Sequence, residues 1–188
     1  MLALTVVAEL LTLDTPPKGI ERFSLKNKNF LTEFIKENKE FCSIGGTYRR
    51  LTNILNIGYS QNCAFKQEFS DYIQQNVNPI LDEYFDYYGL NSLIPETDWL
   101  MLEYEVGHYF NIHTDADNSY RRIVSVVIFG NDDYEGGGLE FDKMGIAIEP
   151  KFGDMLIFPS CYAYSHKVNK VTKGTKYSFV NWFKYKEI

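Results

Sequence analysis

From Trp99 onward the hydrophobic period of the chain becomes two. Leu100, Leu102, Tyr104 and Val106 alternate with Met101, Glu103 and Glu105, and such alternation gives each face of a pleated strand its own set of side chains. Residues 122–129 form a run rich in β-branched types, and residues 146–148, 155–158 and 177–183 supply further short strands. Turn signals separate them: Asn131-Asp132-Asp133, Gly136-Gly137-Gly138, Gly153-Asp154 and Lys173-Gly174. Many short strands with regular turns specify a sandwich or jelly roll.

The first half has a different rhythm. Phe30, Leu31, Phe34 and Ile35 recur at helical spacing. A longer helical pattern runs through Phe65, Phe69, Tyr72, Ile73, Val77, Ile80, Leu81 and Tyr84, with Gly89 as its natural stop. Pro79 falls inside this pattern, so the helix either kinks there or a second helix begins. Residues 2–13 are apolar but interrupted by Glu9, too short to span a bilayer and poor as a signal peptide, and they read as one or two strands. The expectation is a mainly β fold with supporting helices packed on one outer face. It forms a single domain over residues 1–188, with 1–98 as helical support and outer strands and 99–185 as the β core. No repeat or linker divides it.

Composition narrows the class of partner. The formal net charge is −6 and 16% of residues are aromatic, with 14 Tyr and 14 Phe. An acidic chain lacks the basic face that polyanion binding requires, so no nucleic-acid partner is expected, nor any membrane partner. Arg49 and Arg50, and Lys167, Lys170, Lys173 and Lys176, are two small basic clusters that taken alone read as solvated surface. Three cysteines, Cys42, Cys63 and Cys161, are an odd number at spacings that fit no zinc or disulfide framework. A reducing, cytoplasmic setting is the simplest reading.

The chemistry centres on His113-Thr114-Asp115. Residues two apart on a strand share a face, so His113 and Asp115 can offer an imidazole and a carboxylate to one metal ion while Thr114 points away. The chain has three histidines. His108, five residues before His113, falls on the other face by alternation and reads as a surface or supporting residue. His166 follows the 155–158 strand after a short loop, which puts it in the same sheet region as a third ligand. Two imidazoles and one carboxylate on one side of a metal leave its other positions open, as in the facial triad of non-haem Fe(II) oxygenases. A structural zinc site would instead close all four positions, typically with thiolates.

A wider pattern surrounds that triad. Tyr104-x-x-Gly107-x-x-Phe110-x-x-His113-x-Asp115 is followed by Arg122-Ile-Val-Ser125, Asn131-Asp-Asp-Tyr-Glu-Gly136-Gly137 and Leu139-Glu140-Phe141. Then come Pro150-x-x-Gly153-Asp154-x-x-x-Phe158, His166-x-Val168, Gly174-x-Lys176-Tyr177-Ser178 and Trp182. In this order and spacing the series resembles the 2-oxoglutarate/Fe(II) dioxygenases of the prolyl 4-hydroxylase type, over roughly residues 99–185.

The resemblance implies a double-stranded β-helix (jelly roll, cupin-like) and oxidative decarboxylation of 2-oxoglutarate to succinate and carbon dioxide, coupled to hydroxylation of a C–H bond. It implies Fe(II), 2-oxoglutarate and O2 as cofactor and cosubstrates, with ascorbate as a supporting reductant. It makes His113, Asp115 and His166 the catalytic metal ligands. Lys176, ten residues after His166, stands where such enzymes place the cation for the distal carboxylate of 2-oxoglutarate. Tyr104 and Ser178 are its expected companions. On the last strand Lys176, Ser178, Val180 and Trp182 share a face.

Two positions depart from the family pattern. Lys170 stands where proline is common, and Phe129-Gly130-Asn131 where Tyr-Leu-Asn is common; both are expected to flank the substrate side. The expected substrate is a prolyl residue in a peptide or protein, approached across residues 45–63, 117–120 and 131–135, with Tyr48, Arg49 and Tyr120 holding the chain. The alternatives are a hydroxylase of a free amino acid or other small molecule, and a cupin-like metal-binding module without turnover. The acidic chain makes nucleobase demethylation a poorer fit.

Overall fold

The structure is a computed structural model and describes residues 9–10, 19–47, 49–116, 119 and 121–186. Of the apolar segment 2–13, Glu9–Leu10 is a short strand paired with Phe23 and Ser24, and the rest lies outside the described residues. Asp117, Asn118, Tyr48 and Tyr120 also lie outside them.

Two antiparallel sheets face each other. The larger runs, in spatial order, Glu9–Leu10, Glu21–Ser24, Asp154–Pro159, Val124–Phe129, Lys176–Tyr185, Leu100–Tyr104, Asn53–Asn56 and Ser43–Ile44, and Leu93–Pro95 also pairs with Lys176–Tyr185. The smaller runs Ile146–Ile148, Leu139–Phe141, His166–Val168, Tyr109–His113 and Arg50–Leu51. From Leu100 onward the main strands pass back and forth between the two sheets, so neither sheet is built from one continuous stretch of chain. This is the jelly-roll arrangement expected from the strand spacing, and it leaves a space between the sheets lined by both.

The period of two decides what lies on each side of the larger sheet. Met101, Val126, Ile128, Met155, Ile157 and Phe179 point outward into the main hydrophobic cluster. Leu102, Tyr104 and Val180 point inward, to a separate cluster between the sheets. The outward face is covered by three helices: α1 Asn29–Asn38, α2 Lys66–Asn76 and α3 Asn78–Tyr88. Their apolar stripes (Leu31 and Phe34; Phe69 and Ile73; Ile80 and Leu81) are all but fully buried. Phe34 sits at the joint, 4.7 Å from the Phe69 ring and 5.8 Å from that of Phe179.

The ambiguity at Pro79 resolves into two helices. α2 ends at Asn76, and Pro79 falls in the first turn of α3, where its missing N–H breaks no intrahelical bond. Gly130, one of the departures from the family pattern, is explained by α1. A Cβ at Gly130 would stand 2.7 Å from Ile35 Cδ1 and 3.1 Å from Phe179. Packing against α1 and the neighbouring strand thus leaves little room for a side chain at this position. Among the described residues, no helix is long and apolar enough to cross a membrane.

Candidate metal centre

His113 and His166 meet by strand pairing. The strand His166–Val168 lies antiparallel to Tyr109–His113, and His166 is the register partner of His113. Directly opposed residues on neighbouring strands are the closest side-chain neighbours a sheet offers. Asp115 arrives differently from the alternation argument, because the strand ends at His113. A short turn carries Asp115 back to the same side, pinned by the Ala116 N–H to the Ser160 carbonyl (3.0 Å) and by the Thr114 hydroxyl to the Ala116 carbonyl (3.1 Å).

The result is a compact donor set. His113 Nε2 is 3.6 Å from Asp115 Oδ1, and His166 Nε2 is 3.7 Å from Asp115 Oδ2. One ligand atom from each of the three residues lies within 4.8 Å of the other two. Nδ1 of His113 faces the Asn111 carbonyl at 2.9 Å, and Nδ1 of His166 faces the Tyr164 carbonyl at 3.1 Å. A carbonyl can only accept, so each Nδ1 carries a proton and each ring turns its Nε2 toward Asp115. Asp115 is nearly buried, which alone would raise its pKa. His166, His113 and the Ser125 hydroxyl outweigh that and hold the carboxyl below its ordinary range. Burial pushes the pKa of His166 down, which favours the neutral ligand form. Two imidazoles and a carboxylate, with the three cysteines free, fit an open-sided Fe(II) site and not a closed thiolate zinc site.

A bulge shapes the metal strand. Two residues separate Phe110 from His113 where one separates their partners Val168 and His166. Plain alternation would put Phe110 and His113 on opposite faces, but an extra residue re-aims one of them. Their rings stack at 3.6 Å with an interplanar angle of 10°. Phe141 and Phe158 flank His166 at 5.6 and 5.0 Å. His108 stays out of this group, its ring nearest Glu105 at 3.9 Å.

The larger sheet supplies the rest of the cavity. Lys176, Ser178, Val180 and Trp182 all line it, together with Tyr104 and the three metal-site residues. Lys176 is fully buried, so the surface reading of its cluster does not hold for it. Lys167 and Lys173 do lie on the surface, paired with Glu140 and Glu135. Lys176 Nζ donates to the Gly137 carbonyl at 2.5 Å and is ringed by Tyr104, Phe129 and Tyr134 at 5.2–5.8 Å from their centroids. Among the described residues no carboxylate pairs with it. Burial lowers its pKa to about 7, against a weak upward pull from Glu149. Ser178 Oγ, two residues along the same face, is buried and has no partner among the described residues. A buried ammonium without a counter-ion beside an unused hydroxyl is costly unless an anionic ligand completes it.

Sequence reasoning missed four contributors: Phe110 as a ring stacked on His113, the Gly137 carbonyl, and the hydroxyls of Ser125 and Ser160. Their roles depend on a bulge and on contacts between distant segments, which carry no local signal. Gly137 has φ +66°, and a Cβ there would lie 3.1 Å from Tyr134 and 3.2 Å from Lys176 Cδ. Gly137→Ala is therefore expected to cost about 1–3 kcal/mol of stability and to weaken 2-oxoglutarate binding by displacing Lys176. Denaturant unfolding and calorimetric titration check both effects.

Comparison with known proteins agrees with this geometry. Residues 99–184 match the family model of the 2OG-Fe(II) oxygenase superfamily. A PKHD-type hydroxylase of Pseudomonas fluorescens is 34% identical over 91 residues, covering 42% of this chain and 39% of the relative. The chain thus spans about two fifths of that relative's length. The viral collagen prolyl hydroxylase of Paramecium Bursaria Chlorella virus-1, solved with 2OG, shares the fold at a TM-score of 0.69 and 18% identity, over 89% of this chain and 96% of that one. A Trichoplax adhaerens prolyl hydroxylase, in complex with a hypoxia inducible factor oxygen degradation domain peptide fragment, does so at 0.66 and 20%, over 90% and 84%.

Proposed function

We propose that the chain is an Fe(II)- and 2-oxoglutarate-dependent dioxygenase that hydroxylates a prolyl residue in a peptide or protein, working as one unit over its whole length. The observation that carries this reading is Lys176: a buried amine with no carboxylate partner among the described residues, in the same cavity as the His113, Asp115 and His166 donor set. A dicarboxylate with a 2-oxo acid at one end needs a chelating metal and a distant cation, and one cavity holds residues suited to both.

Fe(II), when bound by His113, Asp115 and His166, supplies the redox chemistry that activates O2. The protein's own residues do the rest. Lys176 and Ser178 bind the distal carboxylate, the former as a point charge and the latter as a hydroxyl donor. Tyr104, 2% exposed, closes the same end, and burial holds its hydroxyl in the protonated form beside Thr52. Phe110, Phe141 and Phe158 fix the histidine rings and exclude water around them.

The cavity is small, about 50 Å³, against the several hundred Å³ of a site that encloses a drug-sized ligand. So small a cavity leaves little room to enclose a second substrate, which favours an extended chain met at the mouth over an enclosed free amino acid. The Trichoplax relative, solved with a peptide, supports that preference. Arg50–Leu51 pairs with the metal strand and puts part of the 45–63 segment at this rim. The 131–135 loop instead reaches the lysine end, through Tyr134. The free cysteines fit a reducing cytoplasmic compartment.

Fe(II)-loaded protein, incubated with 2-oxoglutarate, O2 and ascorbate, is expected to add one oxygen to proline-containing peptides and not to free proline. The check is mass spectrometry of both substrate sets. Oxidation confined to free amino acids would replace the peptide reading with the small-molecule one.

A further inference from the structure

Two hydroxyls behind the metal centre are aligned for a task that the facial triad alone does not specify. Ser125 lies on Val124–Phe129 in the larger sheet, and Ser160 follows the end of Asp154–Pro159 beside it. Both are buried, each 1% exposed. Ser125 Oγ is 2.7 Å from Asp115 Oδ2 and also 2.7 Å from Ser160 Oγ. The chemistry of the groups sets the direction of these bonds. An ionised carboxylate accepts only, so the Ser125 proton points at Asp115. Ser125 then has only its lone pairs to offer Ser160, which must donate. The chain of hydrogen bonds runs one way, from Ser160 to Ser125 to Asp115, and each bond polarises the next.

The two oxygens of Asp115 are thereby made unequal. Oδ1 faces His113 Nε2 at 3.6 Å and receives neither serine hydroxyl. Oδ2, although 3.7 Å from His166 Nε2, already accepts a short hydrogen bond and is the poorer donor to a cation. Coordination arithmetic gives this inequality a purpose. Six positions on the metal must serve two imidazoles, Asp115, a two-pronged 2-oxo acid and O2. That is possible only if Asp115 uses one oxygen.

We propose that Ser125, backed by Ser160, is the positioning device that makes Asp115 a one-oxygen ligand and so keeps the position needed by the cosubstrates open. The proposal rests on the metal reading above. The serines touch neither substrate nor metal and act through Asp115.

The test uses the full chain and Mn(II), a redox-quiet stand-in for Fe(II). The variants are Ser125→Ala, Ser160→Ala and Ser125→Thr, and calorimetry gives Kd for Mn(II) and then for 2-oxoglutarate on the Mn(II)-loaded protein. Removing a partner that orients a metal ligand costs about 10–100-fold in affinity. Ser125→Ala is therefore expected to weaken Mn(II) binding by that factor and 2-oxoglutarate binding with it. Ser160→Ala is expected to lose about 3–10-fold, and Ser125→Thr, which restores the hydroxyl, to stay within about threefold of the parent. A serine that merely supports the fold would lower the melting temperature of metal-free protein and leave both Kd values unchanged.

Folded Ser125→Ala with parental Kd values overturns the proposal. If Ser125→Ala shows no cooperative melt, parental Kd values for Ser160→Ala overturn it instead. If the parent protein itself binds no Mn(II), the metal reading fails and this proposal falls with it; parental binding with unaffected variants strikes the serine role alone.

Discussion

His113→Ala is expected to abolish tight metal binding and 2-oxoglutarate turnover together while leaving the fold intact. His113 lies at the end of its strand, its ring packed only on the edge of the cavity against Phe110 and His166. Its Nε2 is one of three donor atoms within 4.8 Å of each other, and with it gone the two that remain chelate weakly. Loss of a group that merely orients a ligand costs about 10–100-fold, so loss of the ligand itself should exceed a hundredfold in both Mn(II) affinity and turnover. Thermal unfolding gives an independent check. A ligand held at 100 times its Kd stabilises the folded state by about 2.7 kcal/mol. Mn(II) should raise the melting temperature of the parent protein and leave that of His113→Ala where it is. Retained turnover in the variant would mean that the metal is held elsewhere.

Lys176→Met carries the second large effect. The replacement keeps an unbranched side chain of nearly the same length and removes the charge, so most of the space stays filled while the cation is lost. Removing one partner of a buried, hydrogen-bonded charge pair costs about 2–5 kcal/mol, which predicts a rise in the 2-oxoglutarate Kd of about 30- to 4000-fold with Mn(II) binding unchanged. The pH dependence separates this from a packing effect. In the empty cavity burial lowers the Lys176 pKa from 10.5 to about 7. Dicarboxylate binding favours the charged form, so affinity should be greatest below about pH 7 and fall as pH rises through and above it.

Stability moves the other way with pH. Between about pH 7 and 10.5 the unfolded chain holds a proton on this lysine that the folded ligand-free protein has lost. Unfolding then takes up protons, and ligand-free stability rises with pH across that window. Below about pH 7 both states are protonated and this contribution is flat, with the burial penalty at its full value. Lys176→Met should abolish both slopes. A variant that kept the parental 2-oxoglutarate affinity would remove Lys176 from the site.

Much of this was legible because it is periodic. Alternation from Leu100 separates Met101 from Leu102 and Tyr104, and in the folded protein the first faces the helices and the others face the cavity. The same rule put Lys176, Ser178, Val180 and Trp182 on one face, and all four line the cavity. The rule failed where the backbone breaks period. Asp115 lies beyond its strand, and the bulge brings Phe110 over His113. Nor can local pattern see an element that arrives from far along the chain. Nothing near Gly130 in the sequence shows that Ile35 of α1 packs against it. Ser125 and Ser160 are 35 residues apart, and nothing near either serine announces that the two meet behind Asp115.

The central claim is that the His113, Asp115 and His166 centre and Lys176 act together on 2-oxoglutarate. It is tested most directly by succinate release, measured for the parent protein with and without Fe(II) and for Lys176→Met with Fe(II). Succinate formed by the Fe(II)-loaded parent, absent without the metal and reduced by the lysine variant at the same 2-oxoglutarate concentration, is the result expected. A well-metallated parent that forms no succinate with any proline-containing peptide or free amino acid would contradict the account.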